Sequence, residues 1–496
     1  MENYNQLINK AKFFYKSNEF ENAKNCLLEV IKNFKLDANI KLNISLLLVD
    51  VLNKLNDFKD IEKYLLEYLE FNSTNSKILN LTANNYSKMR KFHKSEEYYM
   101  KAIDINQNDE SAIINLAVLL ENLGRDSDAL NFYKKALLIN PKNLGVLYNM
   151  SKLKKNNLDK KKINLIKEFI NSDNNEFFNL AAGYFLLAND ESKRKNFLEE
   201  TSFLEKANNF SFKSKEKRNK QGLNYWLNII PNKIDKLTYT SNLNIQKENK
   251  NLYPIFIIGL PRSGSTLTET IISSGDNKIE DLGETNLIGW SLLSIHRSDF
   301  FQNSNENREI KIDTNSISKK LLNAYENLNV PVEDKKVIFL DKSLENFYYV
   351  DLILQIFPNA KFIHTYRNLE DNIFAIYKEF LSKIPWSHSL KDIMLYIDNY
   401  VKIIERQTKK NKNSILSISL EELTNNPEKI SKIIYRFCNL EWDEKCLDFN
   451  NRNILFSKTA SNNQIRLGIQ TYDKKKYEPY RFLIENYKNN FSWLQS

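Results

Sequence analysis

The stretch Pro-Ile-Phe-Ile-Ile-Gly-Leu-Pro-Arg-Ser-Gly-Ser-Thr-Leu at 254–267 constrains the fold more than any other part of the chain. Residues 255–258 are a short apolar, largely β-branched run, which predicts a buried strand. Gly259 to Ser265 breaks that pattern, and helical spacing resumes from Thr266 to Ser273. Strand, glycine-bearing turn and helix in succession bring consecutive backbone N–H groups and a helix N-terminus onto an anion. A triphosphate-binding loop carries lysine where Ser265 stands, and that ammonium reaches the β- and γ-phosphates. Without the lysine the cradle suits a smaller anion, with Arg262 as the nearby fixed cation. A plain tight turn is the alternative.

Pro-Arg-Ser-Gly-Ser-Thr-Leu directly after a buried strand resembles the 5′-phosphosulfate loop of sulfotransferases that use 3′-phosphoadenosine 5′-phosphosulfate (PAPS). The resemblance runs from about Tyr253 nearly to the C-terminus. It implies that Arg262, Ser263, Gly264, Ser265 and Thr266 grip the 5′-phosphosulfate.

A chain of 496 residues predicts two or more domains. Hydrophobic content of 42% and aromatic content of 12% suffice for packed cores. The formal charge of +10 suits an anionic cofactor or substrate, while the basic residues are spread along the chain and form no nucleic-acid footprint. Three cysteines, Cys26, Cys438 and Cys446, show no paired spacing, so a reduced compartment and no metal site are expected. With no signal-peptide pattern and no apolar run near the roughly 20 residues of a membrane span, the expected location is cytoplasmic.

Internal repeats organise the N-terminal part. Residues 76–109 and 110–143 align without gaps at a period of 34. Ala83 matches Ala117, Tyr99 matches Tyr133, Ala102 matches Ala136 and Asn106 matches Asn140, and Pro141 closes the second unit. Ala11, Phe20 and Ala23 begin a similar unit upstream, and 177–208 reads as a degenerate one. Small residues at fixed positions let antiparallel helices approach, and large ones fill the space between pairs. Period and placement resemble tetratricopeptide repeats, whose solenoids usually take a peptide or protein. The expected domains are a repeat domain at 1–210, a helical linker at 211–250 and a sulfotransferase domain at 251–496.

Three further strands are expected at 337–340, 361–366 and 415–418. Asp341-Lys342 stands at the C-terminal end of the first, where open α/β sheets bind ligands. Asp-Lys-x-x-x-Asn-Phe at 341–347 resembles the family's second catalytic segment and implies that Lys342 contacts the oxygen bridging sulfur to the departing phosphate. A fixed cation stabilises the charge developing there. A surface lysine at a strand end is the plain alternative. Leu-Gly-Glu-Thr at 282–285 places Glu284 where related tyrosylprotein enzymes carry an acid taken as the base. A carboxylate in reach of the acceptor hydroxyl accepts its proton; a helix-capping acid is the alternative.

After the 361–366 strand, Arg367 stands where the resemblance implies a ligand of the cofactor's 3′-phosphate, and guanidinium suits phosphate bidentately. Leu369 replaces the family's proline, and Ala375 replaces its serine, removing one hydroxyl donor. Asn372, one helical turn earlier, is a substitute donor. His364 is expected to pack on its strand. Lys-Thr-Ala-Ser-Asn-Asn-Gln-Ile-Arg at 458–466 resembles a late family segment, by which Ser461 and Arg466 approach the 3′-phosphate or adenosine. Lys474–Lys476 are candidates for the entrance, or simply an exposed basic loop.

The expected fold is α + α/β, an N-terminal tetratricopeptide-like helical solenoid followed by a P-loop-like α/β domain with a mostly parallel sheet. The expected activity is sulfuryl transfer from PAPS, without a metal, to a hydroxyl or amine acceptor, possible acceptors being a protein, a glycan, a lipid head group or a small metabolite. The rivals are a kinase-like phosphoryl transferase, which wants lysine at 265, and a repeat-based adaptor with an impaired nucleotide domain, which Ala375 favours.

Overall fold

A computed structural model describes residues 3–153, 158–172, 176–240, 247–301, 309–333, 336–449 and 465–495. The chain forms two compact units, one comprising residues up to Glu121 with Ser127–Asn140 and Leu322–Pro331, the other comprising Asn122–Asp126, Pro141–Leu321 and Val332 onward.

The first unit is a helical solenoid. Helices Tyr4–Lys16 and Phe20–Asn33, Ala38–Leu55 and Phe58–Phe71, Ser76–Lys88 and Phe92–Ile105 each pack on the next in the chain, and Glu110–Asn122 and Asp126–Ile139 continue the series. The repeat positions explain the packing, because Ala83, Ala102, Ala117, Ala136 and Tyr133 are all wholly buried. Ser95 adds a side-chain tie, donating to the Ala83 carbonyl at 2.8 Å. Successive pairs bury what one pair alone leaves exposed.

The second unit is built on a five-stranded parallel sheet. Taking strands in chain order, β1 (Leu237–Tyr239) and β4 (Ile310–Ile312) pair with each other as a small separate parallel sheet. The main sheet contains β2 (Leu252–Gly259), β3 (Glu280–Gly283), β5 (Val337–Asp341), β6 (Lys361–Tyr366) and β7 (Ile415–Ser419), in the order β3-β5-β2-β6-β7. The order reverses at β2 and β6, so their carboxyl ends flank a switch-point crevice. Strand β2 is central, and Ile255, Phe256, Ile257 and Ile258 are buried on both faces, as a parallel strand covered by helices requires. On one face Ile255, Ile257, Leu340, Ile363 and Ile418 pack with Ile271, Ile430 and Ile434 from helices Ser265–Ser273 and Pro427–Phe437. On the other, Phe256 stacks on Phe362, and Phe347 meets Tyr400 of helix Leu390–Lys410 edge-on.

The four strands expected from sequence are present at their expected places. Strands β1, β3 and β4 are additional, each of three or four residues, too short to show a period. No helix among the described residues is long and apolar enough to cross a membrane.

Candidate functional site

Gly259 ends β2 with φ at +143°, and a Cβ there would lie 2.3 Å from the Thr365 carbonyl oxygen. Only glycine lets the ends of β2 and β6 come this close. The chain then turns through Arg262 (φ +67°) and Gly264 (φ +94°), left-handed residues of the kind that turn successive amides inward around an anion. Ser263 Oγ donates to the Leu260 carbonyl at 2.7 Å and lies 2.9 Å from Thr365 Oγ1, so its side chain braces the loop. Ser265 and Thr266 open the helix Ser265–Ser273, where Gly264 as N-cap supplies no side-chain acceptor to the first-turn amides. Those amides are the groups that bind anions at helix starts.

Arg367, just beyond β6, is buried beneath this loop. It donates to the Arg262 carbonyl at 3.2 Å and to the Tyr472 hydroxyl at 2.8 Å, and lies 3.9 Å from Asp371. Its guanidinium also sits over the rings of Tyr472 and Tyr477, at 4.9 and 5.3 Å. Arg367 Nε is buried with no hydrogen-bond partner among the described residues, a remaining donor that fits an anionic ligand. Tyr472 donates in turn to Asp371, and burial, with that carboxylate, raises the Tyr472 pKa well above the phenol range.

A cavity of about 320 Å³ opens here, within the usual ~300–1,000 Å³ of ligand pockets. Arg262, Gly264, Thr266, Arg367, Lys476 and Tyr477 contribute to its lining. The lining combines the cations of Arg262, Arg367 and Lys476 with the apolar side chains of Leu267, Leu420 and Ile469. That mixture suits a ligand with anionic groups and an apolar ring.

Beside it, the ends of β3 and β5 hold a second cluster. Lys342 is fully buried and donates to Glu284 Oε1 at 2.7 Å, with Glu269 Oε2 at 3.6 Å. Burial works to lower the lysine's pKa, but the carboxylates of Glu269 and Glu284 outweigh it, so the ammonium stays charged. Asp341 fixes the arrangement, accepting from the Ser343 amide at 2.9 Å, from Ser343 Oγ at 2.6 Å and from Thr285 Oγ1 at 2.5 Å. The Lys342 amide donates to the Gly283 carbonyl at 2.9 Å. The Leu287 amide is received by Thr285 Oγ1 at 3.2 Å, while the Glu284 side chain turns to Lys342. Glu345, half-buried in the next turn, has its pKa pushed up to about 7 by burial, with the Glu284 and Asp341 carboxylates adding to the effect.

Of the residues singled out in the sequence, the structure gathers Arg262, Ser263, Gly264, Ser265, Thr266 and Arg367 around one loop, and pairs Glu284 with Lys342. Glu269, on the helix that Ser265 and Thr266 begin, links the two groups. Arg466 pairs instead with Asp126 at 2.5 Å, while its neighbours Ile465 and Leu467 line the cavity. Ser461 lies outside the described residues. Ala375 is buried in helix Leu369–Tyr377, and Asn372 donates to the Pro261 carbonyl at 2.7 Å, supporting the loop from below. His364 is packed between Ser417 Oγ at 2.9 Å and Tyr400 OH at 2.5 Å, and burial lowers its pKa to about 4. Glu269, Tyr472 and Tyr477 were missed in the sequence. A lone glutamate among the apolar residues of a short buried helix was the available signal for the first; the tyrosines carry none.

Residues 254–444 match the model of the sulfotransferase family, and 76–109 and 110–143 each match a tetratricopeptide repeat. An uncharacterized protein of Aquifex aeolicus (strain VF5) is 30% identical over 244 residues, covering 46% of this chain. The chain spans only 30% of that relative's length. Among solved structures, a sulfotransferase domain from the Synechococcus PCC 7002 olefin synthase is 18% identical, with a TM-score of 0.29 over 46% of this chain and 83% of that one. A tetratricopeptide repeat protein from Parabacteroides merdae ATCC 43184 is 16% identical, with a TM-score of 0.30 over 43% of this chain and 92% of that one.

Proposed function

We propose that residues 254–444, which match the sulfotransferase family model behind tetratricopeptide repeats at 76–143, move a sulfuryl group from PAPS to a hydroxyl or amine acceptor. The observation that carries this reading is the Lys342–Glu284 pair, joined through Glu269 to the helix that opens from the anion loop. PAPS supplies the sulfuryl group and a phosphate leaving group. The loop amides and Arg262 hold the 5′-phosphosulfate, and Arg367, supported by Tyr472, takes the 3′-phosphate. From the late segment, Ile465 and Leu467 line the cavity and would flank the nucleotide, while Arg466 is engaged by Asp126. The P-loop-like domain needs no lysine at 265, because the donor has no γ-phosphate to reach.

Glu284 accepts the acceptor's proton as the new bond to sulfur forms and the bond from sulfur to the bridging phosphate oxygen breaks. Lys342, held charged by its two carboxylates, stabilises the negative charge left on that oxygen. The products are the sulfated acceptor and phosphoadenosine phosphate. The repeats are the natural docking module for a protein or peptide acceptor, and the proposed location is cytoplasmic.

The test is incubation of the full chain with PAPS labelled in the sulfuryl group, offering tyrosine-bearing peptides, glycans, lipid head groups and small metabolites. Transfer to one class with release of phosphoadenosine phosphate supports the reading. No transfer and no release contradicts it, and leaves the adaptor that Ala375 favours.

A further inference from the structure

The last residue of helix Leu369–Tyr377 and the three that follow it are held one by one by helices that precede the matched sulfotransferase segment. Asn208 donates to the Tyr377 carbonyl at 3.0 Å. Lys378 pairs with the buried Glu200 at 2.7 Å. Glu379 Oε1 receives Lys152 Nζ at 3.0 Å, and Tyr148 OH lies 3.5 Å away. Phe380 stacks on Phe185 at 4.8 Å and meets Tyr148 edge-on at 5.3 Å. The donors and rings come from helices Leu144–Leu153, Phe177–Lys193 and Phe197–Lys213.

Glu379 is the one of the four that reaches the anion loop. Its Oε2 lies 3.8 Å from Arg262 Nη2, so a single carboxylate stands between two cations. The side chains are largely buried, at 17% exposure for Glu379, 11% for Arg262 and 28% for Lys152, so solvent screens them little. Burial works to raise the carboxyl's pKa, but Lys152 and Arg262 outweigh it and Glu379 stays ionised.

We infer that Lys152 is a positioning residue for Arg262, acting by neutralising Glu379 beside it, so that the donor site extends upstream to helix Leu144–Leu153. The shorter contact goes to Lys152, which takes up most of the Glu379 charge. Arg262 keeps a longer ion pair with Glu379, at 3.8 Å, that it trades for a donor phosphate oxygen. Without Lys152, the full charge of Glu379 falls on Arg262 and competes with the donor. The inference rests on the donor reading above.

The experiment is calorimetric titration of full-length protein with phosphoadenosine phosphate, comparing wild type, Lys152→Met, Lys152→Arg and Lys152→Met/Glu379→Gln, with melting temperatures taken in parallel. The expected result is a loss of about tenfold in affinity for Lys152→Met, within the coupling seen between contacting charges. Lys152→Arg and the charge-neutral double variant return to within about threefold of wild type. A packing role would leave the double variant as weak as Lys152→Met, and that result overturns the inference, as does wild-type affinity in Lys152→Met. If Lys152→Met does not fold, the double and arginine variants decide it: loss of affinity in both overturns it. Failure of wild type itself to bind phosphoadenosine phosphate overturns the donor reading and this inference together.

Discussion

Lys342 and Glu284 form a 2.7 Å ion pair in which the lysine is wholly buried and the glutamate half exposed. The two ends therefore respond differently to substitution. Glu284→Gln keeps the shape and removes the proton acceptor, so kcat falls about 10²–10⁴-fold with little change in the donor KM. Steady-state kinetics with PAPS and an identified acceptor separate the two constants.

Lys342→Met affects both chemistry and stability. Loss of a fixed cation at the leaving oxygen lowers kcat about 10²–10³-fold. Removing the ammonium from the buried Glu269 costs about 3–5 kcal/mol of stability. Urea unfolding of the variant beside Glu284→Gln checks the contrast, since Glu284→Gln leaves Lys342 with Glu269 and is the milder change.

Gly259→Ala tests the approach of β2 to β6. Its φ of +143° and the 2.3 Å separation from the Thr365 oxygen leave the methyl no place without backbone movement. A residue held in such a conformation costs about 1–3 kcal/mol before the clash is counted, so the urea midpoint drops and ligand affinity falls with it. Unchanged stability contradicts this account of the turn.

The Glu345 carboxyl, raised from 4.5 to about 7, gives a pH signature. Its folded-state pKa exceeds the unfolded one, so the folded protein binds more protons between those values. Its contribution to stability is full below pH 4.5 and is lost as pH rises through about 7. Glu345→Gln removes that decline. Unfolding measured across this range, wild type against variant, is the check, and parallel pH profiles contradict it.

The framework of the candidate site was legible because the strands that carry it are strong local patterns. The runs 255–258, 337–340, 361–366 and 415–418 are apolar over their length, as buried parallel strands must be, and each ends next to a distinctive residue such as Gly259, Lys342 or Arg367. The supporting contacts were not legible, because they join residues far apart in sequence through single atoms. Tyr472 reaches Arg367 from 105 positions away, and Glu379 meets Lys152 from 227 positions away. Neither has a period or a motif. Glu269 was hidden differently, as an acid that local reasoning assigns to a helix surface and that Lys342 draws inward.

The central claim is that the loop and Arg367 select a 3′-phosphorylated adenosine nucleotide with a single phosphate or phosphosulfate at its 5′ position. It is tested most directly by calorimetry of the full chain with phosphoadenosine phosphate and with magnesium-ATP, wild type against Arg367→Lys. The account predicts binding of phosphoadenosine phosphate alone, weakened about tenfold or more when the guanidinium fork becomes a point charge. Binding of magnesium-ATP as tight as that of phosphoadenosine phosphate would contradict it.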